Sequence, residues 1–495
     1  MRIVTGLAAS GKTSMLLREI AEKAEANRGR QILLVPELNS HQMERRLAAA
    51  THNHGARTAE VLTFSRLADR VFAVVGGLAQ QMLTPAGQLL TLQEAARRVQ
   101  VGLTAWSGLA DKPELLSETL ALIDECKSCM IEPETLFRAS KESALDEDAA
   151  LSAKLCDLAQ ILTQYDSLCE ETLPDPRDRL THLRDGLAES HVLDGAEVYL
   201  DGFLSYTPQE LAIIEVMLSS GVPLTAAVTC DVELPDVFVT GCRTLRTLTR
   251  MAERCSRRPE LVDLGAGKMP RPAGLAAVAN EALLPVRQAH EDASGVRLYE
   301  AASPFDECEH AAAYIRRKVR DEGAHYRDFV IAARDIGPYS ASLAMAMGRY
   351  DIPMFLADKP DLLSRPPMAL VIGALESVRS NFGCRELFGC LKTGLTGLAW
   401  DEIDRLENYA ITWKIHGAAW ERDWVEHPDG YGIPVDEAAQ MQLDELNELR
   451  ARAIAPFAAL RERLKGEQPS AECVRALYDF LLAVDAPRRM EERAA

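Results

Sequence analysis

The 495-residue sequence lacks the features that define several classes of protein. Its longest apolar runs fall well short of the about 18 residues that a membrane-spanning helix requires, and the residues after Arg2 do not form a signal peptide. The 11 cysteines are odd in number and scattered, which excludes a regular disulfide framework. The one C-x-x-C pair, Cys126 and Cys129, has no second pair at the spacing of a zinc site. We therefore expect a reduced, cytoplasmic protein without a membrane segment.

A net positive charge is also absent. The chain carries 55 Lys and Arg against 74 Asp and Glu, a formal net charge of −19, so bulk charge does not favour nucleic acid or anionic membranes. The charge is unevenly placed, however. Residues 1–75 hold 11 basic and 7 acidic side chains, whereas the remaining 420 residues carry a net −23. The opening segment is thus the basic part of an acidic protein.

Strand and helix patterns alternate through the first 75 residues, which predicts a parallel sheet covered by helices. Apolar strands are predicted at residues 2–5, 31–35 and 60–64, and helices at 13–26 and 41–50. Residues 80–189 are rich in Ala and Leu with helical periodicity, and strand patterns return at 197–200 and 223–228. We predict one α/β domain formed by residues 1–79 and 190–275, interrupted by a helical insertion at 80–189.

A second alternating region follows a linker predicted at Pro270–Gly274. The predicted elements are strands at 296–299 and 329–333 and helices at 305–320 and 338–347. From about residue 370 the pattern is helical and increasingly charged. We predict a second, incomplete α/β domain over residues 285–372 and a partial helical region over 373–495.

The clearest motif lies between the first strand and the first helix. Gly6-Leu7-Ala8-Ala9-Ser10-Gly11-Lys12-Thr13 fits G-x-x-x-x-G-K-[ST], whose backbone N–H groups and helix N-terminus form a phosphate-binding nest. The predicted ATP contacts are Gly6, Ala8, Ala9, Ser10, Gly11, Lys12 and Thr13. Lys12 supplies charge for the β- and γ-phosphates, and the Thr13 hydroxyl is placed to bind Mg²⁺. The alternative is a plain glycine turn.

A phosphate loop of this type needs an acidic group on a neighbouring strand to hold the magnesium. Asp201, which follows Tyr199 and Leu200, is the predicted Mg²⁺ ligand, and a solvent-facing carboxylate is the alternative. Gly202 stands where helicase-type enzymes usually place the Glu that polarises the attacking water, so binding without brisk hydrolysis is predicted. Gln209, inside a predicted capping box from Thr207 to Glu210, is a candidate contact to the γ-phosphate or the water.

Several segments resemble known helicase-like proteins. Thr63-Phe64-Ser65-Arg66-Leu67-Ala68 resembles the T-F-H-x-L-A segment of UvrD-like superfamily 1 helicases, which lies near single-stranded DNA. Five further segments resemble more closely the AddB family, the B subunits of bacterial AddAB ATP-dependent helicase–nucleases: residues 35–44, 199–203, 207–210, 331–335 and 350–355. The resemblance runs, with gaps, from Met1 to about residue 375, and Leu38 departs from the Gln expected at its position.

The resemblance implies a P-loop NTPase fold of the superfamily 1 helicase type, with the four predicted regions as domains 1A, 1B, 2A and 2B. It implies a degenerate motor that binds ATP·Mg²⁺, a heterodimer with an AddA-type partner that drives translocation, and contacts with single- and double-stranded DNA. Such subunits guide one strand, scan for a recombination hotspot and serve double-strand-break repair.

The resemblance also assigns roles to individual residues. It places Thr63, Phe64 and Arg66 near the single strand, although the position of Phe64 at the end of a predicted buried strand favours a core role. It places Arg334 at the γ-phosphate, with a surface ion pair beside Asp335 as the alternative.

The resemblance fails at the other end of the chain. AddB-like chains are roughly twice as long, and carry a nuclease domain with an Asp-x-Lys metal site and four cysteines that hold an iron–sulfur cluster. Residues 371–495 show neither pattern, so we expect no nuclease activity and no cluster here, and weak or no ATPase activity from this chain alone. Two alternatives stay open: a stand-alone P-loop enzyme such as a small-molecule kinase, and a structural scaffold with a vestigial loop.

Overall fold

The computed structural model describes residues 1–52, 58–145, 148–265, 271–281, 289–356, 362–363 and 365–494. The chain divides into two compact units, Met1–Leu298 and Tyr299–Ala495. No helix in the described part of the chain is both long and apolar enough to cross a lipid bilayer.

The first unit is built on one parallel sheet. Its described strands are β1 Arg2–Gly6, β2 Arg30–Leu34, β3 Ala59–Leu62, β4 Ala196–Leu200, β5 Leu224–Thr229 and β6 Glu260–Asp263. They lie in the order β3-β2-β4-β5-β1-β6, and every neighbouring pair is parallel. The α/β class and the parallel sheet that the sequence predicts are confirmed.

Helices cover both faces of this sheet. The described helices of this unit are α1 Lys12–Glu25, α2 Ser40–Ala50, α3 Phe64–Val75, α4 Pro85–Val99, α5 Pro113–Ser128, α6 Pro133–Leu145, α7 Ala149–Glu171, α8 Arg179–Leu187, α9 Pro208–Ser219, α10 Val239–Arg254 and α11 Ala273–Glu281. Those that pack on the sheet are α1, α2, α3, α8, α9 and α10. Successive strand residues point to opposite faces. Val4 and Leu33 therefore pack with α1 and α2, whereas Ile3 and Ile32 pack with α3, α8, α9 and α10. Burial of both faces explains the continuous apolar runs of these strands.

The helical insertion has a core of its own. Helices α4 to α7 lie between α3 and α8 in the chain, and Leu92, Ile123 and Tyr165 are among the buried residues that they share. Helix α8 instead packs on the core of the sheet. A loop in this block is fixed by Asp157, which is almost fully buried and accepts hydrogen bonds from the backbone N–H groups of Thr104, Ala105 and Trp106. The carboxylate is satisfied within the fold, so it is a structural group.

Two boundaries differ from the sequence prediction. The strand expected at residues 60–64 ends at Leu62, because the Thr63 hydroxyl accepts a hydrogen bond from the Arg66 N–H and begins α3 at Phe64. The linker expected at Pro270–Gly274 is only partly described, since Pro270 lies outside the described residues. Its last two residues belong to α11.

The second unit is helical throughout its described part. Its helices are α12 Pro304–Glu322, α13 Ser340–Arg349, α14 Pro366–Arg379, α15 Cys384–Leu391, α16 Trp400–Thr412, α17 Glu437–Arg463, α18 Ser470–Ala483 and α19 Ala486–Ala494. Helices α14 to α19 enclose one core around Trp420 and Phe457. The helices predicted at 305–320 and 338–347, and the helical character beyond residue 370, are confirmed.

The strands predicted at residues 296–299 and 329–333 are wrong for the described structure. Neither segment pairs with another strand, and Leu298 and Val330 are 98% and 89% exposed. A strand needs a neighbouring backbone to accept and donate its hydrogen bonds, whatever its side-chain pattern. The second α/β domain expected over residues 285–372 therefore has α12 and α13 without a sheet in the described residues.

Candidate functional site

The loop between β1 and α1 has the backbone of a phosphate-binding turn. Gly6, Ala9 and Gly11 have φ values of 147°, 60° and 94°. A Cβ atom at Gly6 would lie 2.7 Å from the Ser10 Oγ, so this position requires glycine. The Leu7 N–H donates to the Gly265 carbonyl at 3.2 Å, which fixes the loop against the segment after β6.

Lys12 lies inside this loop. Its side chain is buried, and its Nζ donates to the carbonyl oxygens of Gly6 at 2.7 Å and Leu7 at 2.8 Å. Burial lowers the pKa of the Lys12 ammonium, while the negative charge of Asp201 opposes that change. The loop therefore holds one cation at its centre, where an anionic ligand would offset its lost hydration.

Asp201 follows β4 and is not solvent-facing. Only 4% of the residue is exposed, and its Oδ2 atom has no hydrogen-bond partner among the described residues. Burial raises the pKa of the carboxyl group. This rise is opposed by hydrogen bonds from the Thr13 hydroxyl and the Gly202 backbone. The positive charges of Arg46 and Lys12 oppose it as well. A buried carboxylate oxygen without a partner is costly unless a ligand completes it.

The loop and Asp201 meet in one cavity of about 320 Å³. The cavity is lined by residues 8–14 of the loop and α1, by residues 201–204 after β4, by Ala227 and Thr229 of β5, and by Arg46 of α2. One expectation needs correction: β4 is not the neighbour of β1, because β5 lies between them. The carboxyl ends of all these strands share one edge of the sheet, so the loop and Asp201 still face the same space.

The residues present fit a magnesium ion. The Thr13 hydroxyl and the Asp201 carboxylate are hard oxygen ligands of the kind that Mg²⁺ prefers. The unpartnered Asp201 Oδ2 is the observation that favours a cation here. Thr13 and Asp201 line the same cavity as the phosphate loop. Proteins commonly bind Mg²⁺ in such a setting, through few protein ligands together with the phosphates of a nucleotide.

Gln209 does not reach this cavity. Its side-chain amide donates hydrogen bonds of 3.0 Å to the Arg177 carbonyl and to the Thr181 hydroxyl. Gln209 thus ties α9 to the chain that returns from the helical insertion, which is a structural role. The capping box is confirmed, since the Thr207 and Glu210 side chains each bond the other's backbone N–H.

The three predicted DNA contacts have different surroundings. The Thr63 hydroxyl caps α3. Phe64 is 5% exposed and packs edge-to-face on Phe203, with ring centroids 5.7 Å apart, so its ring cannot stack on a base in this structure. Arg66 is exposed and forms an ion pair with Glu44. Of the three, only Arg66 presents its polar group to solvent.

Two further residues of the resemblance are not among the residues that line the cavity. Arg334 belongs to the second unit and is exposed, and it forms no ion pair with Asp335, which instead caps the Gly337 N–H. Its assignment to the γ-phosphate stays a prediction. Leu38, found where Gln was expected, is 98% exposed and makes no contribution to the core.

Sequence reasoning missed two arginines near the loop. Arg46 lines the cavity, and Arg271 donates from Nη2 to the Ala8 carbonyl at 3.2 Å. Neither belongs to a motif, and their positions depend on how α2 and the segment after β6 lie over the sheet edge. The only local signal for Arg46 is its place on the helix that follows β2, a strand that ends at the same edge.

Replacement of Asp201 by Asn should stabilise the metal-free chain. The pKa of Asp201 is raised on folding, so its ionised form destabilises the fold above that pKa, and protonation relieves the cost as pH falls. We expect a gain of about 0.5–2 kcal/mol at pH 7, as is usual when a functional-site constraint is removed, and a smaller gain at pH 5. Urea unfolding with EDTA measures it, with the exposed Asp236→Asn as the control. A less stable Asp201→Asn at both pH values would contradict the assignment.

Comparison with known proteins identifies the family. The family model described as "ADDB, N-terminal" matches residues 3–268. Proteins named as the B component of an ATP-dependent helicase/deoxyribonuclease are similar over almost the whole chain. The protein from Acetivibrio thermocellus is 30% identical over 99% of this chain and 44% of its own length.

Two further relatives with the same name agree. The protein from Symbiobacterium thermophilum is 31% identical over 97% of this chain and 43% of its own length. The one from Alkaliphilus metalliredigens is 27% identical over 99% of this chain and 44% of its own length. The chain thus spans less than half the length of the relatives it matches. Because the family model matches more than half of its residues, the chain belongs to the AddB family.

Proposed function

We propose that this chain is the ATP·Mg²⁺- and DNA-binding portion of an AddB-type subunit, acting within a helicase–nuclease complex that processes double-strand breaks for recombinational repair. The observation that carries the proposal is the cavity in which the phosphate loop, the Thr13 hydroxyl and the unpartnered Asp201 oxygen meet. The names of the relatives support the assignment to a complex, since each is named as one component of a helicase/deoxyribonuclease.

The loop residues would bind the phosphates through charge and backbone N–H groups. Lys12 is already held at the centre of the loop by two carbonyls, so its ammonium is positioned before a ligand arrives, and little reorganisation is needed. The N-terminus of the 14-residue helix α1 adds its partial positive charge. Thr13 and Asp201 would hold Mg²⁺, which neutralises charge on the β- and γ-phosphates when bound.

The cavity favours binding over hydrolysis. Asp201 is its only carboxylate among the described lining residues, and the Gln209 amide is engaged elsewhere. A Glu at position 202 would be strained, because Gly202 has φ 84° and a Cβ there would lie 3.0 Å from the Asn39 Nδ2. Without a group to orient water, we expect this chain alone to hydrolyse ATP weakly or not at all.

The DNA contact proposed for the N-terminal segment is electrostatic. Its surface arginines include Arg66 and Arg70, which pair with Glu44 and Glu60 in exposed ion pairs that contribute little to stability. Such arginines can exchange a carboxylate for a DNA phosphate at low cost. The AddA-type partner and the scanning for a hotspot sequence rest on the family resemblance, and both are part of the proposal.

Mutation of Lys12 tests the nucleotide site. We expect calorimetric titration to show one Mg·ATP bound per chain, and Lys12→Ala to weaken the affinity by at least about tenfold, which is about 1.4 kcal/mol. The exposed Lys141→Ala serves as the control and should bind as the unaltered chain does. Absence of binding, or unchanged binding in Lys12→Ala, would refute the proposed site. Phosphorylation of a metabolite without DNA or a partner would favour the kinase alternative.

Salt-dependent filter binding tests the DNA contact. We expect single-stranded DNA to bind at low salt and to dissociate as salt rises, because released counterions drive the binding. The plot of log K against log salt has a negative slope, and Arg66→Ala should make that slope shallower by about 0.7, the value for one single-strand phosphate contact. Arg138→Ala, an exposed change in the helical insertion, and Phe64→Leu, which keeps the core filled, should leave the slope unchanged. Binding that is absent or independent of salt contradicts the contact.

A further inference from the structure

We propose that Arg46 binds the terminal phosphate of the nucleotide and so lets this unit distinguish a nucleoside triphosphate from a diphosphate with an arginine of its own. The inference rests on the proposed nucleotide site and adds to it the residue that reads the third phosphate. It differs from the assignment of Arg334, which lies in the other unit of the chain.

Arg46 lines the cavity, and its guanidinium forms no ion pair among the described residues. Arg2, Arg30, Arg66 and Arg70, all in the same basic segment, form ion pairs. Arg46 is half-buried and pairs with no described carboxylate; its one described polar contact is a 4.0 Å approach to the Met43 Sδ. A half-buried guanidinium with five donors and almost no acceptors is suited to an anionic ligand.

The order of strands places Arg46 on the γ-phosphate side. Along the carboxyl edge of the sheet, β1 carries the phosphate loop, β5 and β4 follow, and β2 leads to α2 with Arg46. Neighbouring strands are about 4.8 Å apart, so Asp201 after β4 lies between the loop and the α2 side. A Mg²⁺ ion held by Thr13 and Asp201 would neutralise charge on the terminal phosphates. A phosphate chain that starts at the loop and reaches the Asp201 metal site therefore ends toward Arg46.

The charges of the lining agree with this placement. Among its described residues, the basic ones are Lys12 and Arg46 and the acidic one is Asp201. Arg46 is thus the second cation available to a phosphate chain that reaches beyond Lys12. A planar guanidinium offers two phosphate oxygens a rigid, parallel pair of donors, whereas an ammonium acts as a point charge with rotating donors.

The expected consequence is a selective effect on ATP. A hydrogen bond to a charged group contributes enough that its loss should weaken binding about 10- to 100-fold. ADP lacks the third phosphate, so its affinity should change little when Arg46 is replaced. Since the described lining offers no group to orient water, Arg46 would report which nucleotide is bound and would not by itself cause rapid hydrolysis.

The test compares ATP and ADP affinities of the chain and of Arg46→Ala, by calorimetry in Mg²⁺. We expect Arg46→Ala to weaken the affinity for ATP at least about tenfold and the affinity for ADP less than about twofold. Arg46→Lys should recover only part of the ATP affinity. Arg45→Ala is the matched control, because Arg45 is the exposed neighbour on α2 outside the cavity lining, and it should change neither affinity.

An unchanged ratio of the two affinities in Arg46→Ala, or an equal loss for both nucleotides, would overturn the inference while leaving the nucleotide site in place. If the unaltered chain binds neither nucleotide, the proposed function itself fails, and the inference with it. Should Arg46→Ala unfold, the same ratio measured on Arg46→Lys decides the matter, since the lysine keeps the charge but not the planar pair of donors.

Discussion

The parallel register of β1, β5, β4 and β2 is the constraint on which the rest of the structure depends. Gly6 lies opposite Thr229, and Leu200 lies opposite both Ala226 and Leu34. These pairings bring the phosphate loop, Asp201 and the helix α2 to one edge of the sheet. A slip of one residue would turn the side chains of a strand to the opposite face and separate the groups.

Polar groups that the fold leaves incomplete mark the site. Lys12 is buried and bonded only to loop oxygens, the Asp201 carboxylate has an oxygen with no partner, and Arg46 forms no ion pair among the described residues. Each costs stability in the free chain, and each is completed by one part of a nucleotide–magnesium complex. The buried Asp157, by contrast, accepts backbone hydrogen bonds and holds a loop of the fold. Other buried atoms, such as the Tyr206 hydroxyl, also lack a partner among the described residues, so it is the convergence of Lys12, Asp201 and Arg46 on one cavity that distinguishes the site.

Local patterns predicted local structure well, and spatial partners poorly. The loop motif and the strand carrying Asp201 could be found in sequence because a turn, a strand and a helix are specified by adjacent residues. Gln209 was matched to a motif, yet its amide bonds the chain that returns from the insertion. Phe64 fills the core, as its place at the end of a predicted strand favoured. Arg46 was missed because its place depends on the order of strands. Val330 has strand-like neighbours, but no described strand pairs with its segment.

The central claim is that Thr13 and Asp201 hold a divalent cation together with the phosphates of a nucleotide. Electron paramagnetic resonance of Mn²⁺, used in place of Mg²⁺, tests it most directly. We expect one tightly bound Mn²⁺ per chain when ATP is present, weak binding without it, and loss of the ATP-dependent signal in a chain carrying both Thr13→Ala and Asp201→Asn. An ATP-dependent Mn²⁺ signal that survives both changes, or one that never appears, would contradict the account.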